Sequence, residues 1–181
     1  MIDRDPIAYF LTYTTFGTWL HGREQGSVDK DHNQVGSLRI APNPQRQSAN
    51  LERLSNAAYQ LDAPQRRVVL ETIKEVAAHR HWNLIAVHVR SNHVHALINA
   101  NTSPEKILSD LKAWSSRRLS ERFSELDTTK RWTRHGSTLY LWSEDQLAEK
   151  LRYVIEDQGD VMELYINPEI DSSTADRNKF G

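Results

Sequence analysis

Apolar and β-branched residues gather first between Ile7 and Thr15 (IAYFLTYTT), alternating around Phe10, Thr12 and Thr14, which predicts a strand ending at Gly17. From Leu20 to Ser55 the periodicity disappears and Gly, Pro, Asn, Gln and Ser dominate, so residues of about 22–55 read as a long surface excursion. Asp62 and Pro64 then open a helix through His79, with Val68, Val69, Thr72, Ile73, Val76 and Ala77 at helical spacing. Two apolar runs, Trp82 to Arg90 and His93 to Asn99, are separated by Ser91 and Asn92, the spacing of a β-hairpin. Pro104 starts a helix reaching about Phe123, with Ile107, Leu108, Leu111, Trp114 and Leu119 as its buried stripe. After a turn-rich link, Trp132 and the run Thr138 to Trp142 predict one or two short strands. Ser143 to Gln146 reads as a capping box opening a last helix that ends at Gly159.

The order strand, helix, strand, strand, helix, strand is that of the split βαβ unit. It predicts an α+β, ferredoxin-like sandwich, an antiparallel sheet with helices on one face and a further C-terminal helix. Residues 1–160 are expected to form one domain, and 161–181 an acidic, flexible tail.

Composition narrows the chemistry. A chain of 181 residues suits a single core. With a mean hydropathy of -0.67 it is polar but within the globular range. No apolar run approaches the roughly 18 to 20 residues that span a bilayer, and the N-terminus lacks the pattern of a secretory signal, so a cytoplasmic protein is expected. The absence of cysteine excludes disulfides, thiolate metal sites and a cysteine nucleophile, leaving nitrogen and oxygen as metal ligands. The net charge of -1 hides an asymmetry. Between Tyr153 and Asp176 lie seven acidic residues and no Lys or Arg, leaving 23 basic against 17 acidic residues elsewhere. Lys112, Arg117, Arg118, Arg122, Arg131 and Arg134 interleave with Trp114, Phe123 and Trp132, a mixture that suits single-stranded nucleic acid and equally a solvated amphipathic helix. The acidic end would then be a displaceable cover over a DNA-binding face.

His93-Val94-His95 falls inside the third predicted strand, so both imidazoles point to one face and can share a divalent ion. Val94, Ala96 and Ile98 form the opposite, core-facing stripe. On the last helix Leu147, Leu151 and Val154 share a face; Tyr153 lies about 140° from that stripe, with Asp157 one turn on, so both can point off the core. Gln158 would fall on the apolar stripe of a regular helix but precedes Gly159 and can leave that face where the helix ends. A tyrosine attacks a phosphodiester only where a metal withdraws charge from the phosphate, since its pKa near 10 keeps it protonated at neutral pH. The two motifs need each other.

In combination, the run SNHVHALI from Ser91, the opening YFLTYTTFGTWLHG, the RHGSTLYLW segment and the tyrosine of KLRYVIEDQGD resemble the single-domain tyrosine HUH transposases, including the REP-associated tyrosine transposases. The resemblance runs from about Tyr9 to Asp160. It implies a ferredoxin-like fold with His93 and His95 as ligands of Mg²⁺ or Mn²⁺, no nucleotide cofactor, and Tyr153 on the C-terminal helix as the nucleophile. It further implies cleavage and rejoining of single-stranded DNA, next to a hairpin, through a 5′-phosphotyrosine. Relatives place an amide residue four positions after the tyrosine as a third metal ligand. Here that position is Asp157 and the glutamine is Gln158, so both stand as candidates. The Asn-Pro that often follows the tyrosine in REP-associated members is absent. Relatives include dimers that exchange the tyrosine helix as well as monomers, which leaves a homodimer open. The alternatives are a catalytically silent hairpin-binding protein, a replication-initiator-like nickase, and a metal hydrolase that has no use for Tyr153.

Overall fold

The computed structural model describes residues 5–18, 58–124 and 130–170, so the 22–55 excursion lies outside the described residues. Strands β1 (Ala8–Thr14), β2 (Asn83–Val89), β3 (His93–Asn99), β4 (Ser137–Leu141) and β5 (Glu163–Ile166) alternate with helices α1 (Ala63–His79), α2 (Pro104–Phe123) and α3 (Glu144–Glu156). One sheet contains all five strands in the order β4-β1-β3-β2-β5, every neighbouring pair antiparallel. Its first four strands have the order of the split βαβ fold, with β3 inserted between β1 and β2.

Local chemistry explains where the helices begin. Gln65 N–H donates to Asp62 Oδ1 at 2.8 Å while Asp62 N–H donates to Gln65 Oε1 at 2.9 Å, a complete capping box for α1. Ser103 accepts from Lys106 N–H ahead of Pro104 in the first turn of α2. The box predicted at Ser143 is half realised. Ser143 Oγ accepts from Gln146 N–H at 3.3 Å, but Gln146 Oε1 turns to the N–H of Trp142, one residue before the cap.

The sheet separates two cores. Helices α1 and α2 cover one face, where Val69, Ile73, Leu111 and Leu119 pack on Leu11, Tyr13, Val87, Val94, Ala96 and Ile98. Each such aliphatic side chain contributes about 1.5–3 kcal/mol by burial. Helix α3 lies on the other face, where Val154, Leu147 and Leu151 meet Ala8, Phe10, Ile85, Ala86, Leu97 and Leu141. A bulge in β2 between Leu84 and Ala86 puts Ile85 and Ala86 on the same side and reverses the parity of the residues that follow. No helix among the described residues is long and apolar enough to cross a membrane.

The boundary placed at residue 160 changes. Glu163–Ile166 pair with β2, Glu163 opposite Val89 and Ile166 opposite Ala86, so part of the expected tail is the fifth strand. Four half-buried edge residues are too few for a period-two pattern to stand out in the sequence. A truncation after Asp160 therefore removes a strand rather than a cover. It should lower stability by about 2 kcal/mol or more, since it strips one edge of β2 of its partner and removes the Met162 N–H that donates to the buried His88 Nε2. Urea denaturation should show a midpoint lower by about 1 M.

Candidate active site

Strand β3 sets His93 and His95 side by side on the face covered by α3, their ring centroids 4.7 Å apart, while Val94, Ala96 and Ile98 enter the opposite core. Phe10, on the neighbouring β1, stacks on His95 at 5.3 Å. Tyr153 comes down from α3 with its ring edge-on to both, 5.5 Å from His95 and 5.9 Å from Phe10. The apolar stripe of α3 covers this same sheet face, and Tyr153, expected to point off the core, turns instead against Phe10 and His95.

The two candidates for a third ligand separate because α3 stops early. The helix ends at Glu156, Asp157 is its exposed C-cap, and Gly159 takes the left-handed conformation (φ 70°) that turns the chain back. Gln158 is carried inward. Its Oε1 lies 3.3 Å from His93 Nε2 and 3.1 Å from His95 Nε2, and its amide nitrogen donates to the carbonyl of Tyr153. Asp157 is not brought to the histidines: no group of three His, Asp or Glu gathers in metal-binding fashion among the described residues. The Asp157 N–H closes the last turn on the Tyr153 carbonyl at 3.3 Å, but the residue is exposed to solvent there.

Protonation follows from the partners. His93 Nδ1 lies 2.7 Å from Asn92 Oδ1, a carbonyl that only accepts, so the imidazole proton sits on Nδ1. Thr12 Oγ1, 2.8 Å from His95 Nδ1, can accept the equivalent proton there. Burial lowers the pKa of both rings below the usual value, that of His95 to about 3, with the neighbouring His93 adding to the effect. Both rings are therefore neutral at neutral pH. With its proton on Nδ1, His93 turns its Nε2 lone pair toward Gln158 Oε1; His95 does the same in the tautomer whose Nδ1 proton Thr12 accepts, and the Gln158 amide is held in that orientation by its bond to Tyr153. Two imidazole Nε2 atoms and an amide oxygen converging in this way form a donor set for a cation.

One histidine of the site face goes unnoticed in the sequence. His88, fully buried on β2, lies directly across from His95. It donates from Nδ1 to the carbonyl of Val154 at 2.9 Å and accepts at Nε2 from Met162 N–H at 3.1 Å. Burial lowers its pKa, which keeps the ring neutral and able to do both. His88 ties the last turn of α3 and the approach to β5 to the sheet. Its strand position alone does not reveal this, because the β2 bulge decides which face it occupies.

The predicted basic surface divides. Helix α2 packs on the sheet face opposite the histidines. Lys112 is turned inward, donating to the carbonyls of Thr133 at 3.0 Å and His135 at 3.1 Å, and burial lowers its pKa to about 8. Arg131 is 3% exposed and donates to Ser120. Arg118 pairs with Glu75 at 2.8 Å, and Arg117 lies over the Trp114 ring. Arg117, Arg122 and Arg134 have exposed side chains; Lys112 and Arg131 serve the fold.

Among solved structures the chain is similar to a REP-associated tyrosine transposase bound to a REP hairpin (8% identity, 84% of this chain and 67% of that one, TM-score 0.48). It is also similar to a protein of Deinococcus radiodurans R1 assigned as a transposase (18% identity, 87% and 95%, TM-score 0.42). No curated protein matches it. Residues 57–163, which include both histidines, Tyr153 and Gln158, match the family described as transposase IS200 like, and the chain belongs to the IS200-like transposases.

Proposed function

We propose that this transposase cleaves and rejoins single-stranded DNA at a hairpin, with Tyr153 as nucleophile and His93, His95 and Gln158 as ligands of Mg²⁺ or Mn²⁺. The observation that carries this reading is the meeting of two imidazole Nε2 atoms and the Gln158 amide oxygen beside a tyrosine delivered by another element. A divalent ion bound there would supply the charge withdrawal from the scissile phosphate that a protonated tyrosine needs of its target. Phe10 and His95 hold the Tyr153 ring from two sides, which limits its motion before attack. Tyr153 Oη forms a bond to phosphorus and gives up its proton; the bond from phosphorus to the 3′ oxygen breaks, and that oxygen takes up a proton to leave as a 3′-hydroxyl. Reverse attack by another 3′-hydroxyl rejoins the strand and restores the tyrosine. Because the phosphotyrosine conserves the phosphoester, no nucleotide cofactor is required. Asn92, by accepting the His93 proton at Nδ1, keeps that ring's Nε2 available, and Thr12 orients the His95 ring and can accept its Nδ1 proton when Nε2 takes a metal. The exposed Arg117, Arg122 and Arg134 are suited to backbone contacts with the hairpin away from the reacting phosphate.

The test is to incubate the protein with Mn²⁺ and single-stranded oligonucleotides carrying hairpins from the DNA flanking its gene. Protein-linked DNA should appear on a denaturing gel, with the link mapped to the Tyr153 peptide by mass spectrometry. Tight binding without an adduct would instead identify a silent hairpin binder, and cleavage without an adduct a metal hydrolase.

A further inference from the structure

We infer that Arg90 and Lys150 form a phosphate clasp, binding the DNA backbone phosphates on either side of the one that Tyr153 attacks. This rests on the reading of the site given above. Arg90 N–H donates to the carbonyl of His93 at 2.8 Å, which extends the β2–β3 pairing one step beyond Val89 and Val94 and sets Arg90 directly across from His93. Residues opposite one another in an antiparallel pair share a face, so Arg90 projects on the side of His93, His95 and Tyr153. Among the described residues its guanidinium makes one hydrogen bond, from Nη1 to the Asp160 carbonyl at 2.8 Å. No carboxylate among the described residues lies within ion-pair distance of it. Among the described residues its other four N–H donors have no hydrogen-bond or carboxylate partner, in the planar fork that matches phosphate oxygens.

Lys150 stands at the other end. One helical turn before Tyr153, its ammonium lies 5.9 Å from the centre of the Tyr153 ring, and its side chain is 24% exposed. Its partner is Glu149 at 2.7 Å, whose side chain is 60% exposed. An ion pair so open to solvent contributes little, so the ammonium can exchange it for a phosphate. Pairwise contacts thus run from Arg90 to His93, His95, Tyr153 and Lys150, with a cation at each end of the series. Neither cation belongs to the basic stretch that the sequence singled out, and both lie on the reacting face. The ligand class is the phosphodiester backbone of single-stranded nucleic acid rather than its bases, so the clasp adds affinity and register without sequence preference.

The test uses the full chain carrying Tyr153→Phe, which prevents turnover, with a hairpin oligonucleotide whose phosphates near the cleavage position are made neutral one at a time as methylphosphonates. Arg90→Gln, which keeps an amide donor for Asp160, and Lys150→Gln should each weaken binding about 3- to 10-fold and lower the slope of log affinity against log salt by about 0.7. Arg90→Lys should recover part of the loss. Each glutamine variant should be insensitive to methylphosphonate at one phosphate to which the parent is sensitive, the two phosphates lying on opposite sides of the cleaved one. Equal sensitivity of variants and parent at every phosphate would overturn the clasp, even where the active protein forms its Tyr153 adduct. Pairwise coupling in a protein that forms no adduct would retain the clasp as a DNA-binding site and reject the nucleophile. Absence of single-stranded DNA binding would overturn both.

Discussion

Tyr153→Phe is expected to abolish the protein–DNA adduct, a loss of more than about 10³-fold, while single-stranded DNA affinity stays within about twofold of the parent. The substitution removes only Oη. The ring that packs edge-on to Phe10 and His95 is retained, so neither helix α3 nor the donor set of the site loses a contact. Denaturing gels read the adduct and fluorescence anisotropy of a labelled hairpin reads the binding. A Tyr153→Phe variant that still links to DNA would place the nucleophile elsewhere.

The second large effect is expected from His95→Ala. His95 is the more enclosed of the two histidines, 6% exposed, held at Nδ1 by Thr12 and stacked on Phe10. Its loss leaves a single imidazole and one amide oxygen, and Mn²⁺ affinity measured by calorimetry should fall by about 10- to 100-fold or more. Adduct formation should fall by at least about 10²-fold. Thr12→Val, which keeps the imidazole but removes the group at Nδ1, should give a smaller loss of both. The donor set is also electrically neutral: two unprotonated rings and an amide bring no charge to a divalent ion. The phosphate of the DNA is then the anionic partner, so metal and single-stranded DNA should each tighten the binding of the other by one common factor. Gln158→Glu should weaken that coupling by raising Mn²⁺ affinity in the absence of DNA.

Much of this was legible in the sequence because it depends on near neighbours along the chain. A period of two over Ile7 to Thr15 and His93 to Asn99 predicts strands and sets His93 and His95 on one face whatever the sheet does next. Asp62 with Pro64, Pro104, and Ser143 with Gln146 announce three helix starts by signals that lie within a single turn. The ordered motifs around His93 and Tyr153 pointed to the transposase family, and the two residues Ser91 and Asn92 between the runs Trp82–Arg90 and His93–Asn99 to the hairpin. Other features needed the folded chain, since they turn on contacts between residues distant in sequence. Whether Asp157 or Gln158 joins the histidines depends on α3 ending at Glu156 and on Gly159 turning left-handed, a choice made where the helix meets the sheet. His88 reaches the site face because β2 carries a bulge, which reverses side-chain parity for every residue after it. β5 exists because β2 offers an edge to four residues that are unremarkable alone. Lys112 and Arg131 look like DNA-binding cations in a charge count, but a count does not say which cations find buried carbonyls and hydroxyls to bind. By itself, then, the sequence determined four of the five strands, the three helices and the shared face of the histidine pair; the tertiary structure decided the fifth strand, which residue joins the histidines and which charges remain for a ligand, because these follow from where nonlocal packing stops a helix or shifts a strand.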